Sequence, residues 1–209
     1  MTMQIKLLIK SMSYKFHWLI FALFLTGCAL IKPHEEALHK IDWKTRKAEL
    51  EKIKDWDMYG SISITQAHKT DMGTFYWSQQ QGRYVIELSG PMSLNTIRMV
   101  GDGKKVTLKK SKGEQITASS PEELLFEQFG WRLPISNLVY WIKAQPAPVP
   151  VQSLQLDSYN HLVKLKQQGW NLEYLMFKSF NGVDLPTKIY LWNDDLKIKI
   201  VIKKIVIEN

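Results

Sequence analysis

One thiol, five imidazoles and a scatter of carboxylates are the groups in this 209-residue chain that could do chemistry. The thiol, Cys28, has no second cysteine to pair with, and zinc sites want several Cys or His at fixed spacing. The imidazoles of His17, His34, His39, His68 and His161 show no metal-ligand spacing. Asp194 and Asp195 are neighbours, so in a strand they face opposite ways and in a turn both face water; neither arrangement makes a catalytic pair. Gly101, Asp102, Gly103 and Lys104 suggest a phosphate loop, but alternating strand patterns flank them on both sides and a hairpin turn is the better reading. No G-x-S-x-G elbow, phosphate-binding Gly loop or H-E-x-x-H occurs. An enzyme, a metal and a cofactor are therefore not expected. What remains is chemistry done to the chain, at Cys28.

Cys28 closes a leader. Lys6, Lys10 and Lys15 form a positive region, and residues 16 to 25, FHWLIFALFL, form a short apolar one. Small residues and Cys28 follow, which is the layout of a secretory signal. The apolar run is far short of the ~20 residues that cross a bilayer. Met1 and Met12 both stand as possible starts. LTGC, Leu25 to Cys28, resembles the lipobox of bacterial lipoproteins. That resemblance implies that the Cys28 thiol receives a diacylglycerol through a thioether, that the bond before it is cut, and that the new amine is acylated. Two or more acyl chains give stable anchoring. Ala29, where an Asp would retain a lipoprotein in the inner membrane, points by the same resemblance to the outer membrane. The expected division is a signal peptide at 1–27, a lipidated tether at 28–33 and a single domain at 34–209.

The net charge is +8, and removal of the acid-free leader leaves 25 basic against 20 acidic residues, or +5. A mildly basic surface suits anionic head groups or an acidic partner. The lysines are spread along the chain and form no tract, so nucleic acid is not expected.

Residues 33 to 56 read as tether then helix, with Leu38, Ile41, Ala48 and Ile53 at roughly helical spacing. From residue 57 the period changes to two, and six candidate strands precede residue 119. Turn signals stand at residues 80–82, 102–103 and 112–113. Ser120, Pro121, Glu122 and Glu123 open a helix that Gly130 can stop. Pro134 opens a second helix, which Pro146 and Pro148 end. Five more strands follow, with turns at 181–182 and 193–195. About eleven antiparallel strands in so short a chain must curl. The expected fold is mainly β (α+β): an unclosed antiparallel barrel whose concave face the helices cover. Phe75, Trp77, Trp131, Trp141, Trp170 and Trp192 are candidates to point inward, either filling an ordinary core or lining an apolar cavity.

Three blocks carry a more specific resemblance: GTFYWSQQQGRYVIELSGPMS at 73–93, GWRLPISNLVYWIKAQPAP at 130–148, and LPTKIYLWNDDLKIKIVIKKI at 185–205. With LTGC and the helix before the first strand, these resemble, in order, the LolB family of outer-membrane lipoprotein receptors. Pro134 to Ile142 is the most distinctive run. The resemblance implies a monomeric, lipid-anchored protein facing the periplasm. It would accept acylated lipoprotein cargo from a LolA-like periplasmic carrier and place it in the inner leaflet of the outer membrane, without nucleotide or metal. It also gives meaning to Pro91, Met92, Ser93 and Leu94. A turn with grease at its tip is unusual, because turns between strands are usually polar. In the family, the matching loop carries a projecting apolar residue that assists membrane insertion, and Met92 takes that position here. Ser93 departs from the family's Gly. A lipid-anchored module that binds or senses a hydrophobic ligand, and a packed structural lipoprotein, are the competing readings.

Overall fold

A computed structural model describes residues 36–91, 96–110 and 113–208. Eleven strands form one antiparallel sheet: β1 (Asp55–Gln66), β2 (Lys69–Gln80), β3 (Arg83–Ser89), β4 (Ile97–Gly101), β5 (Val106–Lys110), β6 (Gln115–Ala118), β7 (Val151–Leu156), β8 (Leu162–Gln167), β9 (Trp170–Phe180), β10 (Val183–Trp192) and β11 (Leu196–Glu208). Their order across the sheet is β6-β5-β4-β3-β2-β1-β11-β10-β9-β8-β7. The first and last strands of the domain pair at the centre, and β6 and β7 are the free edges. The sheet is thus curled but unclosed, as the sequence predicts.

The register fixes two ends. Gln66 lies opposite both Lys69 and Leu196, so the β1–β2 and β10–β11 turns share one end with the β3–β4 and β5–β6 connections. The β2–β3, β4–β5 and β9–β10 turns lie at the other. Three hairpins close with two residues at positive φ, such as Gln81 (49°) and Gly82 (76°), the twist-matched hairpin geometry. Asp102 accepts from the amides of Lys104 (3.0 Å) and Lys105 (3.1 Å), so the GDGK stretch is a turn closed by its own aspartate. At Gly60, where the β1–β11 register shifts, an added Cβ would stand 2.1 Å from the Val201 carbonyl oxygen and 2.6 Å from the Phe75 ring. Only glycine lets the Phe75 ring lie across that bulge.

The connection from β6 to β7 runs between the two free edges and carries the covering helices. In α2 (Pro121–Phe129), Ser120 Oγ accepts from Glu123 N at 3.1 Å, and Gly130 at φ 70° terminates it. α3 (Ile135–Trp141) follows Pro134 but ends sooner than the prolines at 146 and 148 suggest. Its last turn tightens, with Ala144 N donating to the Trp141 carbonyl, and Tyr174 takes the same oxygen at 2.9 Å. The N-terminal helix is also shorter than expected: α1 (Trp43–Lys52) starts where Asp42 caps Thr45 N at 3.0 Å. Leu38 and Ile41 precede that cap and lie outside it. Arg46 and Leu50 supply the buried face of α1.

The far end of α3 is held by a polar clasp inside the core. Gln167 Oε1 accepts from Trp141 Nε1 (2.8 Å) and Ala147 N (3.1 Å), while its Nε2 donates to the carbonyls of Ala147 (2.9 Å) and Val149 (2.7 Å). Lys143 Nζ donates to the Ile53 carbonyl at 2.8 Å, and burial together with the nearby Lys54 charge pushes its ammonium down to about 8. Gln167→Leu removes four hydrogen bonds at once, three of them fully buried. The expected loss is about 2 to 4 kcal/mol in urea unfolding, with an unchanged m-value.

Candidate functional site

The concave face of the sheet and the underside of the helices enclose an apolar hollow. Its floor is Ile62, Ile64, Phe75, Trp77, Ile86 and Ile200; its roof includes Leu125 on α2, Leu138 on α3, and Trp131 and Leu133 between them. These residues meet because the strands alternate and α2 and α3 turn one apolar stripe each toward the sheet. The hollow is about 40 Å³. Pockets that hold drug-sized ligands span ~300–1,000 Å³, so in this conformation the roof lies almost on the floor. The Trp77 indole Nε1 is buried and has no acceptor among the described residues.

The hollow opens through Ile62, Ile64, Leu88 and Trp131 into a mouth of about 650 Å³. Gly90, Pro91 and Thr96 at the base of the β3–β4 loop form part of the rim, and Phe129 and Trp131 stack there at 5.0 Å between centroids. Ser89 Oγ and Thr96 Oγ1 meet at 3.0 Å and pinch the base of the loop. Among the described residues, the two lysines of the mouth are already occupied: Lys69 pairs with Asp71 at 3.1 Å, and Lys110 pairs with Glu114 at 3.1 Å while donating to Gln128 at 2.9 Å. The lining of the mouth is therefore apolar with internally neutralised charge.

The residues singled out in the sequence divide. Phe75, Trp77 and Trp131 line the hollow. Trp141 and Trp170 do not; they pack on each other at 6.3 Å in the other half of the core, beneath the Gln167 clasp. Trp192 points the opposite way: Ile189 and Leu191 face inward and are fully buried, whereas Tyr190 and Trp192 alternate with them on the outer face. A period of two tells which residues share a face; it does not tell which half of a long curled sheet the helices close over. Pro91 is exposed on the rim. Met92, Ser93, Leu94 and Cys28 lie outside the described residues.

Sequence reasoning missed a second constellation, where the tether meets the domain. Asp184 Oδ2 accepts from His39 N (2.8 Å) and Arg46 Nη1 (3.3 Å) and meets His161 Nε2 at 2.9 Å; its Oδ1 meets His39 Nδ1 at 3.2 Å. Burial opposes charge on Asp184, but the bonds from His161 and His39 and the Arg46 guanidinium outweigh it and hold the carboxyl below its usual range. Glu36 accepts from Ser179 Oγ (3.0 Å) and Gly182 N (3.2 Å). The partners are up to 146 residues apart, so no local spacing could have revealed them.

The model of the family described as outer membrane lipoprotein LolB matches residues 54–204. The chain is 38% identical over 182 residues to the outer-membrane lipoprotein LolB of Pseudomonas aeruginosa, which covers 86% of this chain and 89% of that protein. This chain belongs to the LolB family. A Coxiella burnetii protein of the same description is 36% identical over 185 residues, covering 87% of this chain and 88% of that one. Among solved structures, a LolA superfamily protein from Nitrosomonas europaea superposes with a TM-score of 0.54 at 9% identity, over 81% of this chain and 94% of that one. That likeness is one of fold alone. As a LolB family member the protein is a lipid-anchored outer-membrane lipoprotein and a receptor in lipoprotein localisation.

Leu88 sits half-buried at the neck between mouth and hollow. Leu88→Glu places a carboxylate at the neck that joins the mouth to the hollow. A fluorescent fatty-acid probe is expected to bind about tenfold more weakly or worse, while stability falls by less than about 1 kcal/mol. Probe titration and urea unfolding of the same sample separate the two effects.

Proposed function

We propose that the protein takes acylated lipoproteins from a LolA-like periplasmic carrier at this mouth, shelters their acyl chains beneath α2 and α3, and releases them into the inner leaflet of the outer membrane. Cys28, acylated after removal of residues 1–27, is the anchor in this reading, and the protein works as a monomer. The step is a transfer and makes or breaks no covalent bond. The observation that carries the reading is the continuity of an apolar hollow with an open apolar mouth at the β3–β4 loop.

The energetics suit a handover. Each CH₂ left in water costs ~0.8 kcal/mol, so a chain moving mouth to mouth must never leave apolar cover. The closed hollow has to open, and the roof is built to allow it. Hydrogen bonds pin α3 at its Trp141 end, whereas α2 rests on the sheet mainly through Leu124 and Leu125, with Lys110–Gln128 and Gln66–Gly130 (3.3 Å) as polar ties. Swapping Leu–Ile contacts for acyl–Ile contacts is nearly neutral, so entering cargo replaces the roof without a large net cost. The Trp77 N–H, without an acceptor among the described residues, is a donor that an acyl ester or amide carbonyl would satisfy.

Release needs a way into the bilayer, and Met92 with Leu94, which the sequence sets between β3 and β4, serves it in this reading; Met is flexible and apolar. The test is transfer of a purified acylated lipoprotein from carrier to this protein and on to liposomes. Met92→Glu with Leu94→Glu is expected to fold and accept cargo normally but deliver it at a severalfold lower rate. Delivery at the unaltered rate would refute the loop's role, and failure of the unaltered protein to accept cargo would refute the reading as a whole.

A further inference from the structure

The outer face of β8–β11 does not look like an ordinary solvated surface. Directly opposed residues of an antiparallel sheet share a face. One row across the outer side reads Lys164, Glu173, Tyr190, Lys199; the next reads Lys166, Asn171, Trp192, Lys197. Lys188 lies one pair further along, opposite Val201. Leu175 and Met176, each 51% exposed, lie beside it on β9. Glu173 pairs with Lys164 at 3.3 Å. Among the described residues no carboxylate lies within pairing distance of Lys166, Lys188, Lys197 or Lys199. The remaining acids nearby, Asp194 and Asp195, sit exposed in the β10–β11 turn beyond the last row. The lysines are not edge protection, because β8–β11 are interior strands and the edge on that side is β7.

We propose that this face is a second membrane contact, lying against an anionic phospholipid surface. Lysines at head-group level with Tyr and Trp rings among them, and a few exposed aliphatic side chains, are the chemistry that an anionic bilayer surface selects. The geometry of the leash points the same way, and this part rests on the reading of Cys28 as the anchor. Glu36, His39 and Arg46 fasten the tether to the β9–β10 turn and Asp184, at the end opposite the mouth. From Cys28 to Glu36 is eight residues, which reach at most about 28 Å. β9, at 11 residues, is about 36 Å long. A body standing on its mouth would hold the fastening beyond the reach of the anchor. A body lying on β8–β11 brings fastening, lysines and mouth end to the bilayer together.

The test uses the full acylated protein in vesicles. Acylation consumes the only native thiol, so one introduced cysteine can carry a nitroxide. Val201→Cys reports the proposed face, and Thr107→Cys, on the outer side of β5, is the control. In vesicles of phosphatidylethanolamine with phosphatidylglycerol, the Val201 label is expected to lose most of its collisions with a water-soluble nickel quencher and gain them with oxygen. The Thr107 label should keep its collisions with nickel. The contrast should vanish in phosphatidylcholine vesicles, at high salt, and in Lys188→Glu/Lys197→Glu/Lys199→Glu. Equal nickel access at both positions in anionic vesicles, or protection that survives the triple charge reversal, would overturn the proposal. Cargo transfer measured in parallel keeps the two readings apart. A protein that shows the label contrast yet accepts no cargo supports the face and sinks the hollow.

Discussion

The structure depends on a sheet that cannot close. β6 and β7 stand at opposite ends of the eleven-strand order, and among the described residues they do not pair with each other. The concave face, built from Ile, Phe and Trp, would otherwise face water. The chain solves this with the segment that must in any case travel from one edge to the other. α2 and α3 lie in that segment, and their Leu and Ile residues supply the roof. A closed barrel would have a permanent interior. An open one with a helical cover has an interior whose lid is held by exchangeable apolar contacts, which suits the proposed uptake and release of an acyl guest.

The polar interactions are distributed to match. Gln167, Tyr174 and Lys143 fix the end of α3 where the chain turns into β7. Asp184, with His39, Arg46 and His161, fixes the tether at the other half of the sheet. Neither cluster touches the hollow. Among the described residues around the hollow and its mouth the few charges are paired on the rim, so in the proposed transfer they need not be stripped of water singly.

Most of the architecture was legible because strands and turns write their own signals. Alternation across residues 57–118 and 151–208, with Gln-Gly, Asp-Gly and Asn-Gly at the reversals, specifies eleven strands and antiparallel pairing. Ser120, Pro121 and Gly130 specify α2 nearly to the residue. The failures have physical reasons. α1 is short because Asp42, not the apolar spacing, decides where the helix begins. α3 stops early because Tyr174 and a tightened turn take the Trp141 carbonyl. Trp192 faces outward because it alternates with the buried Ile189 and Leu191, and aromatic content alone does not choose the face. The tether clasp was invisible because its four groups come from three distant parts of the chain.

The central claim is that the roof lifts to admit an acyl chain, since a hollow of about 40 Å³ holds none. Nitroxides at Glu127→Cys on α2 and Val201→Cys on the back of the floor, in the acylated protein, measure that separation by pulsed electron resonance before and after loading from the carrier. The account predicts a longer and broader distance distribution in the cargo-bound state, returning to the original on release to liposomes. An unchanged distribution with cargo bound one to one would contradict it.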